Sequence, residues 1–139
     1  MNTQALNQAE IRQTVQEWQA LLNRLVGEVS EWARDLPGFS DKTISQKQII
    51  EEALGTYTAP VLTIQTDQGR LILEPAARIV FGGRGTVEIY AWSTLYRVRL
   101  VRRAQEEDWT ILTDSGIPLR QPWNKETFIT LAQDLLGAE

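Results

Sequence analysis

The first third of the chain repeats its hydrophobic positions with a helical period. Apolar residues recur at spacings of four and three, and they are Ile11, Val15, Trp18, Leu22, Leu25, Val29, Trp32 and Leu36. This spacing places all of them along one side of a helix. Asn7 and Glu10 match a capping box at its start, and Pro37 with Gly38 marks its end. The pattern predicts a helix over residues 8–35, about 42 Å long.

A second, shorter helical pattern follows the first. Ser45 and Gln48 match another capping box, and Gly55 matches a helix stop. The apolar side of this segment consists of Ile49, Ile50, Ala53 and Leu54. The sequence therefore predicts a short second helix that forms a helical hairpin with the first.

From Val61 onwards the chain is rich in strand-forming residues. Strands are predicted at 61–66, 70–74, 78–82, 86–92, 96–103 and 109–113. Glycine-rich or polar turn signals separate several of them, for example Asp67-Gln68-Gly69 and Gly82-Gly83-Arg84-Gly85. Because the connections are short, the strands are expected to form an antiparallel meander.

A last helix is predicted from about residue 125 to residue 136. Asn124 matches its N-cap, and Trp123 with Phe128 matches a hydrophobic staple. Runs of like elements favour an α+β fold. We expect a single domain over residues 1–139, with an N-terminal helical hairpin, an antiparallel meander of five to six strands, and the last helix packed on the sheet.

The composition narrows the possible functions. The chain has no cysteine and no histidine, which excludes thiolate and imidazole metal sites and the catalytic triads that depend on histidine. No catalytic residue, metal site or cofactor is therefore assigned. No apolar run approaches the roughly 20 residues of a membrane span. We expect a cytoplasmic protein that does not bind membranes.

Charge is distributed unevenly along the chain. The net charge is −4, yet residues 70–103 contain seven arginines against Glu74 and Glu88, a local charge of +5. In the predicted hairpin over residues 86–103, arginines share one face with aromatic side chains. The members of this face are Glu88, Tyr90, Trp92, Arg97, Arg99, Val101 and Arg103.

Three interpretations of this face remain open. The arginine stems can cover the rings and pair with acidic groups of the same chain. Alternatively, the face binds a protein, or it stacks and neutralises a nucleic acid, which is the weaker possibility for an acidic chain. The predicted partner-binding residues are Tyr90, Trp92, Arg97, Arg99 and Arg103. Among the tryptophans, Trp92 is expected to be the most exposed.

The length of the first helix suggests a homodimer. A domain of this size has a diameter of about 37 Å, so a helix of about 42 Å would overhang it. The overhang would expose apolar residues unless a second copy covers them. The predicted dimer interface is Ile11, Val15, Trp18 and Leu22. Alternatively, the helix bends at Gly27 and folds wholly onto its own sheet.

The leading functional prediction is a non-enzymatic protein-interaction module that self-associates through the long helix. One alternative is a nucleic-acid-binding protein that uses the arginine and aromatic face. A second is a metal-dependent, nuclease-like enzyme that uses carboxylates, for which Glu74, Glu88 and Asp114 are the candidates.

Overall fold

The computed structural model describes residues 7–52, 54–79, 84–92, 97–102, 109–112, 118–119 and 122–137. These residues form a long helix, a sheet and a second helix, in that order along the chain. The helices are α1 (Gln8–Ala33) and α2 (Lys125–Gly137). The strands are β1 (Phe39–Glu51), β2 (Gly55–Thr66), β3 (Gly69–Ile79), β4 (Arg84–Ala91), β5 (Arg97–Arg102), β6 (Thr110–Leu112) and β7 (Pro118–Leu119).

The long helix is confirmed, together with its predicted start. The side chain of Asn7 accepts a hydrogen bond from the Glu10 amide, and the Glu10 side chain accepts one from the Asn7 amide. These two bonds form the capping box and satisfy amides that the first turn leaves without partners. The buried side of α1 comprises Trp18, Leu22, Leu25, Val26, Val29, Ser30 and Ala33.

The predicted short second helix is wrong, because its residues belong to a β-hairpin. Strand β1 pairs with β2 in an antiparallel register that runs without interruption from Asp41↔Gln65 to Glu51↔Gly55. Gly55 has a φ of 79°, a left-handed conformation that suits glycine at a tight hairpin turn. The isoleucines of β1 favour a strand, and pairing along the whole length of β1 overrides the local capping signals.

The sheet is an antiparallel meander whose strands follow chain order from β1 to β7. The strands predicted at 70–74 and 78–82 are one strand, β3, with an irregularity between Pro75 and Ala77. With β1 and β7 added, the described residues contain seven strands where five to six were predicted. The α+β class, the meander and the C-terminal helix against the sheet are confirmed.

Both helices contribute to one hydrophobic core against the sheet. Trp18 and Phe128 from the helices join Leu62, Ile64 and Leu100 from the sheet in this core. The helix α1 packs mainly on β2, and α2 contacts α1 and β3. In the described part of the chain, neither helix is long and apolar enough to cross a membrane.

Candidate interaction face of the sheet

Alternation along the strands places the arginines and aromatic rings on the side of the sheet opposite the helices. Val87, Ile89, Val98 and Leu100 point into the core, so their neighbours point outward. We call the resulting surface the arginine–aromatic face, and its described members include Arg70, Ile72, Glu74, Glu88, Tyr90, Trp92, Arg97 and Arg99. The β4–β5 register pairs glutamate with arginine and tyrosine with arginine, as the sequence predicted.

The centre of this face is paired internally. The Arg97 guanidinium carbon lies 4.0 Å from the centroid of the Tyr90 ring. Its Nη1 donates to Glu88 Oε1 at 2.8 Å. Tyr90 is consequently buried although no helix covers it. At this position the Arg97 guanidinium covers a ring and pairs with an acidic group of the same chain, as the first of the three interpretations describes.

A second polar cluster, centred on Glu74, links β1, β3 and β4 next to Arg97. Lys47 Nζ lies 2.6 Å from Glu74 Oε2, and the Tyr90 hydroxyl donates to Glu74 Oε1 at 2.6 Å. Burial alone would raise the pKa of Glu74, but these hydrogen bonds and the charges of Lys47 and Arg97 outweigh it and lower the pKa. Burial and the bond to Glu74 raise the pKa of Tyr90 to about 12.

The lowered pKa of Glu74 predicts a contribution to stability that depends on pH. Since the folded pKa lies below the unfolded value of about 4.5, the contribution is present above that value and is lost as the pH falls through the folded pKa. Glu74→Gln should therefore destabilise the protein near neutral pH but make little difference in acid. Urea unfolding of both proteins across the acidic range measures this, with the exposed Glu52→Gln as control. An unchanged difference down to the lowest pH would contradict it.

The rim of the face is open to solvent. Trp92 is 59% exposed, and the Arg70 guanidinium carbon lies 5.8 Å from its ring centroid. The Trp92 amide donates to the Arg70 carbonyl at 2.8 Å, which fixes the backbone of both residues. Arg99 has a side chain 62% exposed and only a long contact of 3.9 Å with Glu88. The exposed indole and the adjacent Arg70 guanidinium can contact an apolar group and an anionic group together, and Arg99 offers a second cation about four residues further along the sheet.

The predicted partner-binding residues thus fall into two groups. Trp92 and Arg99 are accessible, whereas Tyr90 and Arg97 lie within the internal network. Arg103 lies outside the described residues. Two participants were not assigned to the site from the sequence. Arg70 meets Trp92 only through the β3–β4 register, and Lys47 was assigned to a helix.

The predicted dimer interface on the long helix needs correction. Trp18 and Leu22 are 2% and 1% exposed within the single chain, so they offer no surface to a second copy. Ile11 and Val15 are half-buried, and Val15 packs against the core. The sheet covers the helix because β1 has 13 residues and β2 has 12, which extend roughly 40 Å and match the length of α1.

A separate cleft of about 260 Å³ lies where α1 meets the beginning of α2. Arg24 and Arg102 line it together with the indole rings of Trp32, Trp109 and Trp123. Arg102 already has an interaction partner, and the Trp32 and Trp123 rings pack on each other 5.6 Å apart. These side chains are therefore largely engaged within the fold.

The carboxylates proposed for metal-dependent catalysis do meet, but cations of the same chain hold them. Glu74 and Glu88 are cross-strand partners in β3 and β4. Lys47 and Arg97 neutralise them, and Asp114 lies outside the described residues. No group of three or more acidic residues that could hold a metal ion occurs within the described ranges. Searches against protein-family models, curated proteins and solved structures gave no match to this chain.

Proposed function

We propose that this chain is a non-enzymatic interaction module that binds an acidic segment of another protein through its arginine–aromatic face. The observation that carries the proposal is the exposed Trp92 beside Arg70 on the sheet surface opposite the two described helices. Tryptophan and arginine dominate the binding energy of protein interfaces, because they bury large areas while retaining a polar group.

The exposed rim is rigid, which favours binding. Trp92 follows β4 directly, and its amide is tied to the Arg70 carbonyl. The adjoining centre is held by the bonds among Glu74, Tyr90 and Arg97. A surface fixed before binding loses little conformational entropy when the partner arrives.

The charge of the face indicates the chemistry of the partner. Glu74 and Glu88 are neutralised within the chain by Lys47 and Arg97. Arg70 then leaves positive charge beside the Trp92 ring, and Arg99 leaves a second positive charge beyond Arg97 on the same face. A peptide that carries an aliphatic or aromatic residue, one carboxylate next to it and a second carboxylate about 13 Å away complements this arrangement.

Nucleic acid is the competing ligand for arginines interleaved with rings. Here the Tyr90 ring is covered by Arg97 and leaves Trp92 as the open ring among the described members of the face. The net charge of −4 also repels a long polyanion more strongly than a short peptide with a few carboxylates. Both features favour a short acidic peptide over a nucleic-acid strand.

The test uses peptides that combine one hydrophobic residue with acidic residues, selected by display against the full chain. Trp92→Ala should weaken the binding of the selected peptides by about 2 kcal/mol or more, which raises the dissociation constant roughly 30-fold. Fluorescence anisotropy measures this change. The melting temperature of this variant should remain close to that of the wild type, because the ring is mostly in water. Arg34→Ala is the control, since Arg34 is an exposed residue outside this face.

Three results would overturn the proposal. The first is that no peptide binds, and the second is that binding survives Trp92→Ala together with Arg99→Ala. The third is that a labelled single-stranded oligonucleotide binds through Trp92 with an affinity that falls steeply with salt, which would establish the nucleic-acid alternative.

A further inference from the structure

The sheet ends in two very different edges. Strand β7 has two residues, whereas β1 has 13 and pairs with β2 alone among the described strands. Long open edges present unpaired backbone groups to other chains, so proteins usually shorten or block them. The β1 edge is therefore the place to look for a blocking device.

The hydrogen-bonding pattern shows which groups face this edge. The Trp92 amide bonds to the Arg70 carbonyl, so even-numbered residues of β3 direct their backbone groups toward β4. Consecutive residues of a strand direct their backbone groups to opposite sides, so odd-numbered residues of β3 face β2 and pair with its even-numbered residues. The odd-numbered residues of β2 then face β1, where they pair with odd-numbered residues. The bond from the Leu54 amide to the Glu51 carbonyl, which closes the hairpin, agrees. Even-numbered residues of β1 therefore direct their N–H and C=O groups outward.

The part of β2 that does not pair with β3 forms a second open edge, and this edge is blocked. Strand β2 pairs with β3 only from Leu62 onward, so the preceding part of β2 has a free side. There the Thr58 carbonyl accepts a hydrogen bond from the Gln19 side chain at 2.8 Å, and Pro60 has no N–H to offer. A proline and a capped carbonyl are effective barriers to strand pairing.

The edge of β1 is blocked only near its beginning. The Asp41 carboxylate accepts the Lys42 amide at 2.8 Å, which removes that outward donor. Beyond it, the outward residues are Ile44, Gln46, Gln48 and Ile50. No described group bonds to their backbone on the open side, and all four side chains are uncharged. Ile44 is 51% and Ile50 76% exposed.

We propose that two copies of this chain pair through β1, antiparallel, about a twofold axis at Lys47. In this register Ile44 of one copy lies opposite Ile50 of the second copy, and Gln46 lies opposite Gln48. Each of these four residues then exchanges two backbone hydrogen bonds, from N–H to C=O in both directions, with the residue opposite it. The two exposed isoleucines cover each other on one face, as stabilising cross-strand pairs do.

The rest of the structure is compatible with this twofold arrangement. The Lys47 residues of the two copies lie opposite each other, with their side chains on the face of the sheet opposite the isoleucines. There each ammonium group is already paired with Glu74 of its own chain. The helix α1 packs mainly on β2. Because the pairing is isologous, it uses the same edge of both copies and closes on itself. The remaining edges are the two-residue β7 strands, so the described strands offer no long edge for further growth.

Sedimentation of the full chain tests the dimer, with Gln46→Pro as the decisive variant. Proline removes an outward N–H that β2 does not use, so the hairpin should stay intact while the dimer dissociation constant rises at least about tenfold. Gln46→Ala keeps the N–H and should dimerise like the wild type. A wild-type chain that stays monomeric at high micromolar concentration would overturn the proposal, as would a Gln46→Pro dimer of unchanged affinity.

Single cysteines test the register, since the chain has none of its own. Lys47→Cys should form an intermolecular disulfide, because opposite Cα atoms in a non-hydrogen-bonded pair lie about 4.5 Å apart. Ser45→Cys should not form this disulfide, because position 45 of the second copy would lie about four residues away along the strand. A mixture of Ile44→Cys and Ile50→Cys chains should cross-link where either alone does not. Cross-linking by Gln46→Cys alone would show a shifted register, and a dimer that no position cross-links would show a different interface.

Discussion

Trp18→Ala is expected to lower the free energy of unfolding by about 3–5 kcal/mol, the range for removing a large buried aromatic side chain. Trp18 is among the largest fully buried side chains, and its ring lies 6.3 Å from that of Trp109. It also packs directly on the backbone of β4. A Cβ atom added at Gly85 would approach the Trp18 ring to 2.2 Å, so the indole occupies the space that any other residue would need.

The close approach predicts a strong coupling between the two positions. Gly85→Ala should destabilise the wild type by roughly 1–3 kcal/mol through overpacking. In the Trp18→Ala background the same change should cost little, because the clashing ring is gone. Chemical unfolding of the four proteins gives the coupling energy as a double-mutant cycle. Additive effects would show that Trp18 does not rest on Gly85. Gly27→Ala is a suitable control, since nothing lies near its added Cβ.

Gly85 also illustrates how a sequence signal can be assigned to the wrong cause. Within Gly82-Gly83-Arg84-Gly85 it was interpreted as part of a turn, yet Arg84 and Gly85 lie in β4. A strand follows this glycine-rich segment, as predicted, and residues 80–83 lie outside the described ranges. The need for glycine at position 85 comes from the approach of a distant helix. A local pattern contains no information about that contact.

The two N-terminal predictions had opposite outcomes for a physical reason. The helix α1 repeats its apolar positions over seven turns, and no other structure places them on one side. The segment before Gly55 is too short for such a test. Its capping signals and its adjacent Ile49 and Ile50 fit a helix, but isoleucine also suits a strand. Pairing with β2 decides between them, and pairing is a property of the fold.

The candidate face was partly predictable because alternation in β4 and β5 assigns each side chain to one side of the sheet. Covering of a ring by an arginine was one of three open interpretations, and the structure shows it where Arg97 lies over Tyr90. Alternation could not show that Arg70 meets Trp92, which depends on the register of β3. The dimer prediction failed at Trp18 and Leu22 for a similar reason. The predicted overhang rests on the average diameter of a domain of this size, whereas the long strands make this sheet as long as its helix.

Phe128→Ala is expected to lower the free energy of unfolding by about 3–5 kcal/mol and to weaken the attachment of α2 first. Phe128 is fully buried, and its ring lies 6.0 Å from both Trp32 of α1 and Trp123. These rings form much of the contact between the helices, and such pairs add to the energy of burial. The half-buried Ile129→Ala should cost less and serves as control. Hydrogen exchange should show α2 amides losing protection before those of β2–β4. Equal loss of protection throughout the chain would show that α2 unfolds only with the whole domain.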